Sequence, residues 1–244
     1  MNTPDQSNSK TRIRFFHSLR GKLILVFLAI SLIPLLIVSV LVYIQVQNAL
    51  RSEMINKLVA VRDIKSKQIT NYFNERSADI KILSKNPTIV TAMKTLDEAL
   101  HVQITDLNRD EVGVMKQYRS LYQGKPDLLD AGDGSTYSAI HAQHHPMFKA
   151  YQDAYHYYDI FLVEPHSGTI IYSVTKEVDF GTSLKNGTYA NTAFGDIFQE
   201  VLAAKESDIT RWKDFIYYEP SKEVAAFIAS PLFRHSKLIG VAGI

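Results

Sequence analysis

YYDIFLVEPHSGTIIYSVTKEVDFGTSL, residues 157–184, is the stretch on which the fold turns. YDIFLVE and TIIYSVT are short runs rich in β-branched and aromatic residues, and PHSG between them is a compact loop, so the stretch reads as a β-hairpin. With Val163 opposite Ile170, strict alternation sets Asp159, Phe161 and Val163 on one face together with Ile170, Tyr172 and Val174. One carboxylate and one phenol then stand on an otherwise apolar wall, and Lys176 and Asp179 follow in the polar tract.

Beyond the hairpin, TAFGDIFQEVLAAKE has the pattern of a helix, and DITRWKDFIYYEP, EVAAFIASPLF and KLIGVAGI read as three more strands turned at PSKE and RHSK. Before the hairpin the pattern is helical. From Gln45, the apolar residues Leu50, Met54, Leu58, Val61, Ile69, Tyr72 or Phe73, Ile80 and Leu83 follow three-and-four spacing broken at Lys65 and Arg76, which marks one stripe on a long helix. Asn86-Pro87 interrupts the stripe, and PTIVTAMKTLDEAL restarts it with proline in the first turn. DLNRDEVGVMKQYRSLYQGK is a further helical stretch, PDLLDAGDGSTYS a loop, and HHPMFKAYQDAYHYY a short helix opened by Pro146. The expected fold is α+β: a stalk helix region over 45–100, helices and loop over 101–156, and over 157–244 a five-stranded antiparallel sheet with helices on one side.

LILVFLAISLIPLLIVSVLVYI, residues 23–44, carries no formal charge and is long enough to cross a hydrocarbon core as a helix. A cleaved signal peptide would show a shorter run followed by small residues, whereas here the helical pattern continues through QVQNALRSEM. Lys10, Arg12, Arg14, Arg20 and Lys22 flank the run against a single acid, Asp5, which predicts a cytoplasmic arm over 1–22 and an exported remainder after residue 45. The expected location is therefore a membrane, with the lipid bilayer as partner of 23–44. The chain's net charge of +2 resides in that arm, so the remainder offers no electrostatic footprint for nucleic acid. The absence of cysteine excludes disulfides, thiolate metal sites and cysteine nucleophiles. A bare apolar stripe on the stalk needs cover, which either a second copy in a homodimer supplies near the membrane or the domain's own later elements supply further out.

YDIFLV, GTIIYSVTKEVDFGTSL, the WKDF strand, YEPSKEVAAFIASPLF and LIGVAGI together resemble the Cache family of extracytoplasmic sensor domains, in particular the membrane-distal half of double-Cache ectodomains in bacterial methyl-accepting chemotaxis receptors. The resemblance runs from Leu23 onward and implies a PAS-like sheet, a location in a bacterial inner membrane, a signal received outside the cytoplasm, and an output passed through the membrane. The amino-acid-binding branch of that family carries a spaced Tyr, Arg, Trp, Tyr, Asp constellation that this chain lacks, Arg211 and Trp212 being adjacent. The end at Ile244, inside the last strand, reads as the N-terminal piece of a longer receptor.

Small ligands bind in mostly apolar hollows with a few convergent polar groups. Asp159, Tyr172, Lys176, Asp179, Thr182 and Asp214 are the candidate polar groups, and Tyr158, Phe161 and Trp212 the candidate walls. Residues 176–192 form the expected lid, and Ala225, Ala226, Ala229 and Ser230 leave room beneath it, unless those small residues merely admit a closely packed helix. Asp159 or Asp214 suits a cationic amine and Lys176 a carboxylate; alternatively Lys176, Glu177 and Asp179 form a solvated ion-pair turn. His141, His144, His145 and His156 have spacings that can share a helical face, but without cysteine and with Pro146 ending the helix they read as surface histidines, and neither metal nor cofactor is expected. No nucleophile elbow, phosphate loop or zinc-protease pair is present, so this chain is not expected to be an enzyme. The expected function is the ligand-sensing portion of a chemotaxis receptor, with a small molecule as partner. The alternatives are the sensor of a membrane histidine kinase or diguanylate cyclase, and an anchored interaction domain without a small ligand.

Overall fold

A computed structural model describes residues 19–244, so Asp5, Lys10, Arg12 and Arg14 of the topology argument lie outside the described residues. The chain divides into two compact units, 1–68 and 69–244.

The described part of the first unit belongs to helix α1, Leu19–Lys85, which continues into the second unit. Its stretch over 23–44 is helical and leaves every large apolar side chain exposed, from Leu23 to Ile44. Length and composition make this a candidate membrane span. Pro34 sits inside it, a placement that spanning helices tolerate. Leu50, Met54, Leu58 and Val61, the stalk end of the apolar stripe, are likewise exposed.

In the second unit Ile69 is still exposed, and the stripe finds its cover further on, with Ile80 and Leu83 buried. Asn86 then caps helix α2, Pro87–Leu107, by accepting from the Thr88 N–H, and Pro87 occupies a first-turn position that needs no donor. Ile89, Ala92, Met93, Leu96 and Leu100 form its buried face. Asp110 caps α3, Glu111–Tyr122, and Ser135 caps α4, Thr136–Tyr155. Pro146 lies in the middle of α4 instead of opening a short helix: the Ser135 cap starts the helix ten residues earlier than proline chemistry alone suggests. The strands are β1 Phe161–Val163, β2 Ile170–Ser173, β3 Arg211–Tyr218, β4 Glu223–Arg234 and β5 Lys237–Gly243, and α5, Ala193–Ala204, falls between β2 and β3.

The strands form one antiparallel sheet in the order β2-β1-β5-β4-β3, so the expected α+β class is observed. The last strand pairs with the first, which closes the sheet across the chain. Helices cover both faces, not one. A side chain at Gly240 would run into Met93 of α2, while Gly243, on the opposite face, lies under Phe194 of α5. Phe194 in turn packs on Phe161 and Phe227, with centroids 4.6 and 5.0 Å away. The β4–β5 turn puts His235 and Ser236 both at positive φ, the geometry of a two-residue hairpin matched to strand twist.

The hairpin itself departs from strict alternation. Val163 pairs with Ile170 as expected, but Leu162 pairs with Tyr172 and Phe161 with Ser173, so Ile171 is the extra residue of a bulge. A one-residue slip reverses faces. Tyr172 therefore points to Phe148 on α4 (4.5 Å) while Phe161 points to α5, and the shared wall of Asp159, Phe161 and Tyr172 does not exist. Gly168 sets the loop: at φ +75°, an added Cβ would lie 2.8 Å from the Lys185 backbone nitrogen. Gly168→Ala is expected to cost about 2 kcal/mol and roughly 4–8 °C in thermal midpoint. An unchanged melting curve would show that the loop relaxes freely.

Candidate functional site

The residues predicted to bind ligand build the hairpin from inside. The Asp159 carboxylate is buried and accepts from the N–H groups of Ile160 (2.6 Å), Val174 (2.7 Å) and Thr175 (3.2 Å) and from the hydroxyls of Ser173 (2.6 Å) and Thr175. Burial raises its pKa and these donors oppose the rise. Ser173 passes the network on by accepting from the Lys176 N–H. Lys176 is fully buried at φ +57°; its Nζ donates to the Ser173 carbonyl and sits 4.3 Å from the Tyr172 ring centroid, with Phe180 and Tyr122 completing an aromatic box. Burial pulls its pKa down to about 7. Asp179 is equally buried, accepts from the Tyr218 hydroxyl at 2.8 Å, and is raised to about 7 by burial and by the Asp159 charge.

Tyr172 leads to His141, His144 and His145, which are interior and not on the surface, whereas His156 is exposed as expected. His145 Nε2 faces the Pro126 carbonyl at 2.6 Å and must carry the proton, so Nδ1 accepts from the Tyr172 hydroxyl at 2.7 Å. His141 donates from Nδ1 to the Leu129 carbonyl at 2.7 Å. Burial first, then the Lys176 charge, lowers His141 to about 2 and His145 to about 4, so both are neutral at physiological pH. His144 is buried against Thr95, and His156 is the left-handed C-cap of α4. No cluster of metal-ligating groups occurs among the described residues.

The other predicted site residues scatter. Phe161 is buried under α5, and Thr182 spends its hydroxyl on the Asp179 carbonyl. Asp214 lies exposed on β3 and bonds the next backbone N–H. Trp212, half-exposed, packs against Phe73, and Tyr158 donates to Glu177 at 2.5 Å. The expected lid, 176–192, is a fixed strap: Phe180 and Leu184 are fully buried, Ser183 bridges to Thr169, and Arg119 holds the carbonyls of Phe180 and Gly181. Ser230 is buried between Ser84 and the Ile209 carbonyl, a close helix–strand approach of the bland kind.

Open space lies instead between the C-terminal turns of α1 and the sheet, as a cavity of about 200 Å³. Tyr72, Phe73 and Arg76 of α1, Tyr157 and Tyr158, Phe215 of β3, and Ala225, Ala226 and Ile228 of β4 line it. Of the four small residues expected to leave room, Ala225 and Ala226 do so. A void of about 30 Å³ touching Asp159 and Phe161 shares Tyr158, Ala225 and Ala226 with it. A larger groove of about 460 Å³ is flanked by Lys94, Glu98, Glu164, Arg234 and Lys237, whose mixed charges suit water as well as any ligand.

Among the described residues, Arg76 is the one arginine or lysine on the aromatic cavity's wall, which His156 also borders. Its guanidinium is sandwiched between the rings of Tyr72 (5.4 Å) and Tyr157 (5.3 Å), and its Nη1 donates to the Tyr155 carbonyl at 3.2 Å and lies 3.3 Å from Asp79. Tyr157 donates to the same Asp79 oxygen at 3.0 Å, and burial followed by that carboxylate's charge keeps its phenol protonated. Arg76 Nε is buried with no acceptor among the described residues. An unmet buried donor costs about 1–3 kcal/mol.

Sequence reasoning passed over Tyr72, Phe73, Arg76, Tyr157 and Phe215 as site residues. The available signal was Arg76 itself, a charge interrupting the apolar stripe where the helix meets its domain. Comparison with known proteins finds no matching family model, no matching curated protein and no matching solved structure. The functional reading therefore rests on the fold and on this cavity.

Proposed function

We propose that this chain is the extracytoplasmic ligand-sensing portion of a bacterial transmembrane receptor of the chemotaxis type, anchored through residues 23–44 and paired with a second copy along the stalk. The observation that carries the reading is that one helix does two jobs. Within α1, residues 23–44 form the candidate span and Tyr72, Phe73 and Arg76 form one wall of the cavity. An occupant that draws this wall toward β3 and β4 acts on the same rod that enters the membrane, and a small displacement of a packed helix is an established way to pass a signal. The α+β layout behind a long N-terminal helix is compatible with the Cache resemblance that the hairpin and strand sequences suggest.

The test uses Leu58→Cys and Val61→Cys, one at a time, in the full chain in membranes, where the introduced cysteine is the only one. Ala226→Leu, which fills the cavity, serves as a built-in occupant. Crosslinking between copies is expected at one position over the other, with the ratio changing at least twofold when Ala226→Leu is added. Absence of crosslinks at both positions would remove the dimeric stalk, and an unchanged ratio would remove the coupling between cavity and helix.

A further inference from the structure

We infer that the cavity under α1 selects a small monocarboxylate with an apolar body, bound through Arg76 Nε. The inference rests on the cavity being the receptor site. Its first support is geometric: Nη1 is already committed to Tyr155 and Asp79, whereas Nε is buried and lacks an acceptor among the described residues. A carboxylate meets a guanidinium through paired N–H donors, and Nε belongs to one such edge. The second support is the charge arrangement. Asp79 holds Nη1 and is itself bonded by Tyr157, so the arginine is fixed at the cavity wall, and Nε, closed off from water, is the donor that a carboxylate drawn against this wall would satisfy.

The remaining wall sets the body of the ligand. Phe73, Phe215, Val224, Ala226 and Ile228 offer no hydrogen bonds and face the body of the ligand, which is therefore mainly apolar, while His156, Tyr158 and Ser221 also border the space. A volume of about 200 Å³ equals the share of about seven liquid waters. Benzoate or a short branched fatty acid is of that size. Glu223 also borders the cavity and disfavours an anion, but it is exposed and screened by water, whereas Arg76 is four-fifths buried. Aromatic walls alone also suit an organic cation, which makes the amine the informative competitor.

The experiment measures thermal unfolding of the full chain in lipid nanodiscs with benzoate, benzamide or benzylamine at matched concentration, and with isobutyrate against isobutyramide. At least one carboxylate is expected to raise the midpoint while its amide and the amine do not. Arg76→Gln is expected to weaken that carboxylate at least tenfold. Because Arg76→Gln also loses the Asp79 contact and can fail to fold, Ala226→Leu is run beside it: it leaves Arg76 in place and is expected to abolish the shift. Equal stabilisation by acid and amide, or preference for benzylamine, would overturn the carboxylate assignment and leave the cavity as a receptor site. A shift that survives Ala226→Leu would place binding elsewhere, and no shift with any of the five probes would remove both the ligand class and the cavity reading.

Discussion

Asp159→Ala is expected to lower stability by about 3–5 kcal/mol, and the thermal midpoint by roughly 10 °C, without any ligand present. The carboxylate is the hub of the hairpin: three backbone N–H groups and two hydroxyls converge on it in a fully buried position. Removing it leaves all five donors without this acceptor, and only those of Thr175 are partly exposed, the others being buried. Asparagine does not rescue, because its amide nitrogen brings two more donors into a ring of donors. Thermal unfolding of Asp159→Ala and Asp159→Asn beside wild type checks this. A loss under about 2 °C in both would mean that the residue is free to serve a ligand after all.

That result would also explain why the hairpin drew attention as a ligand site. Asp159, Tyr172, Lys176 and Asp179 are polar residues at the edges of an apolar hairpin, a pattern that a binding pocket and a buried staple share. What separates the two is the count of partners, and partners such as the Val174 N–H, the Ser173 carbonyl or the Tyr218 hydroxyl are set by three-dimensional turns that spacing does not encode. The bulge at Ile171 is of the same kind. Val163 opposite Ile170 was legible from the loop length, but one extra residue sends Phe161 and Tyr172 to opposite faces, and no residue type at that point demands it.

Element type was legible because periodicity is strong: the long helix, the break at Asn86-Pro87, α5 and the three C-terminal strands all follow from spacing and turn residues. The two-sided covering of the sheet was legible only in part. Gly240 and Gly243 lie three apart in β5 and so face opposite ways, which hints at close packing on both sides, but which helix arrives on which face depends on distant contacts. The histidines were misplaced for a related reason. Pro146 argues for a helix start, yet a first-rate cap at Ser135 overrides it and carries His141, His144 and His145 into the interior. The cavity was the least legible feature, since its walls come from residues 72–76, 157–158, 215 and 225–228.

Asp179→Asn is expected to leave stability near the wild-type value at pH 4 and to make the protein more stable than wild type at pH 8, by on the order of 3 kcal/mol. Burial, then the charge of Asp159, lifts the folded-state pKa of Asp179 from 3.8 to about 7, against the pull of the Tyr218 hydroxyl. Between those two values the folded chain holds a proton that the unfolded chain has released, so stability falls as pH rises through the window and the loss is complete above about pH 7. Asparagine keeps an oxygen for Tyr218 and cannot ionise, so it escapes that loss. The wild-type curve alone would hide the effect. His141 and His145, held neutral with lowered pKa values, make stability rise with pH up to about 6.5, and Lys176, lowered to about 7, makes it rise again toward 10.5. Those groups are common to both proteins and cancel in the difference between them. Urea unfolding of the pair at pH 4, 6 and 8 reads that difference directly. A gap that widens with pH in favour of asparagine means that the fold holds Asp179 protonated, in keeping with a buried Oδ1 that no donor among the described residues stabilises as an anion. A gap that instead turns against asparagine at high pH would mean that Asp179 is a stabilised anion, which would need a positive charge beside it, whereas the charges that act on it are those of Asp159 and Glu177.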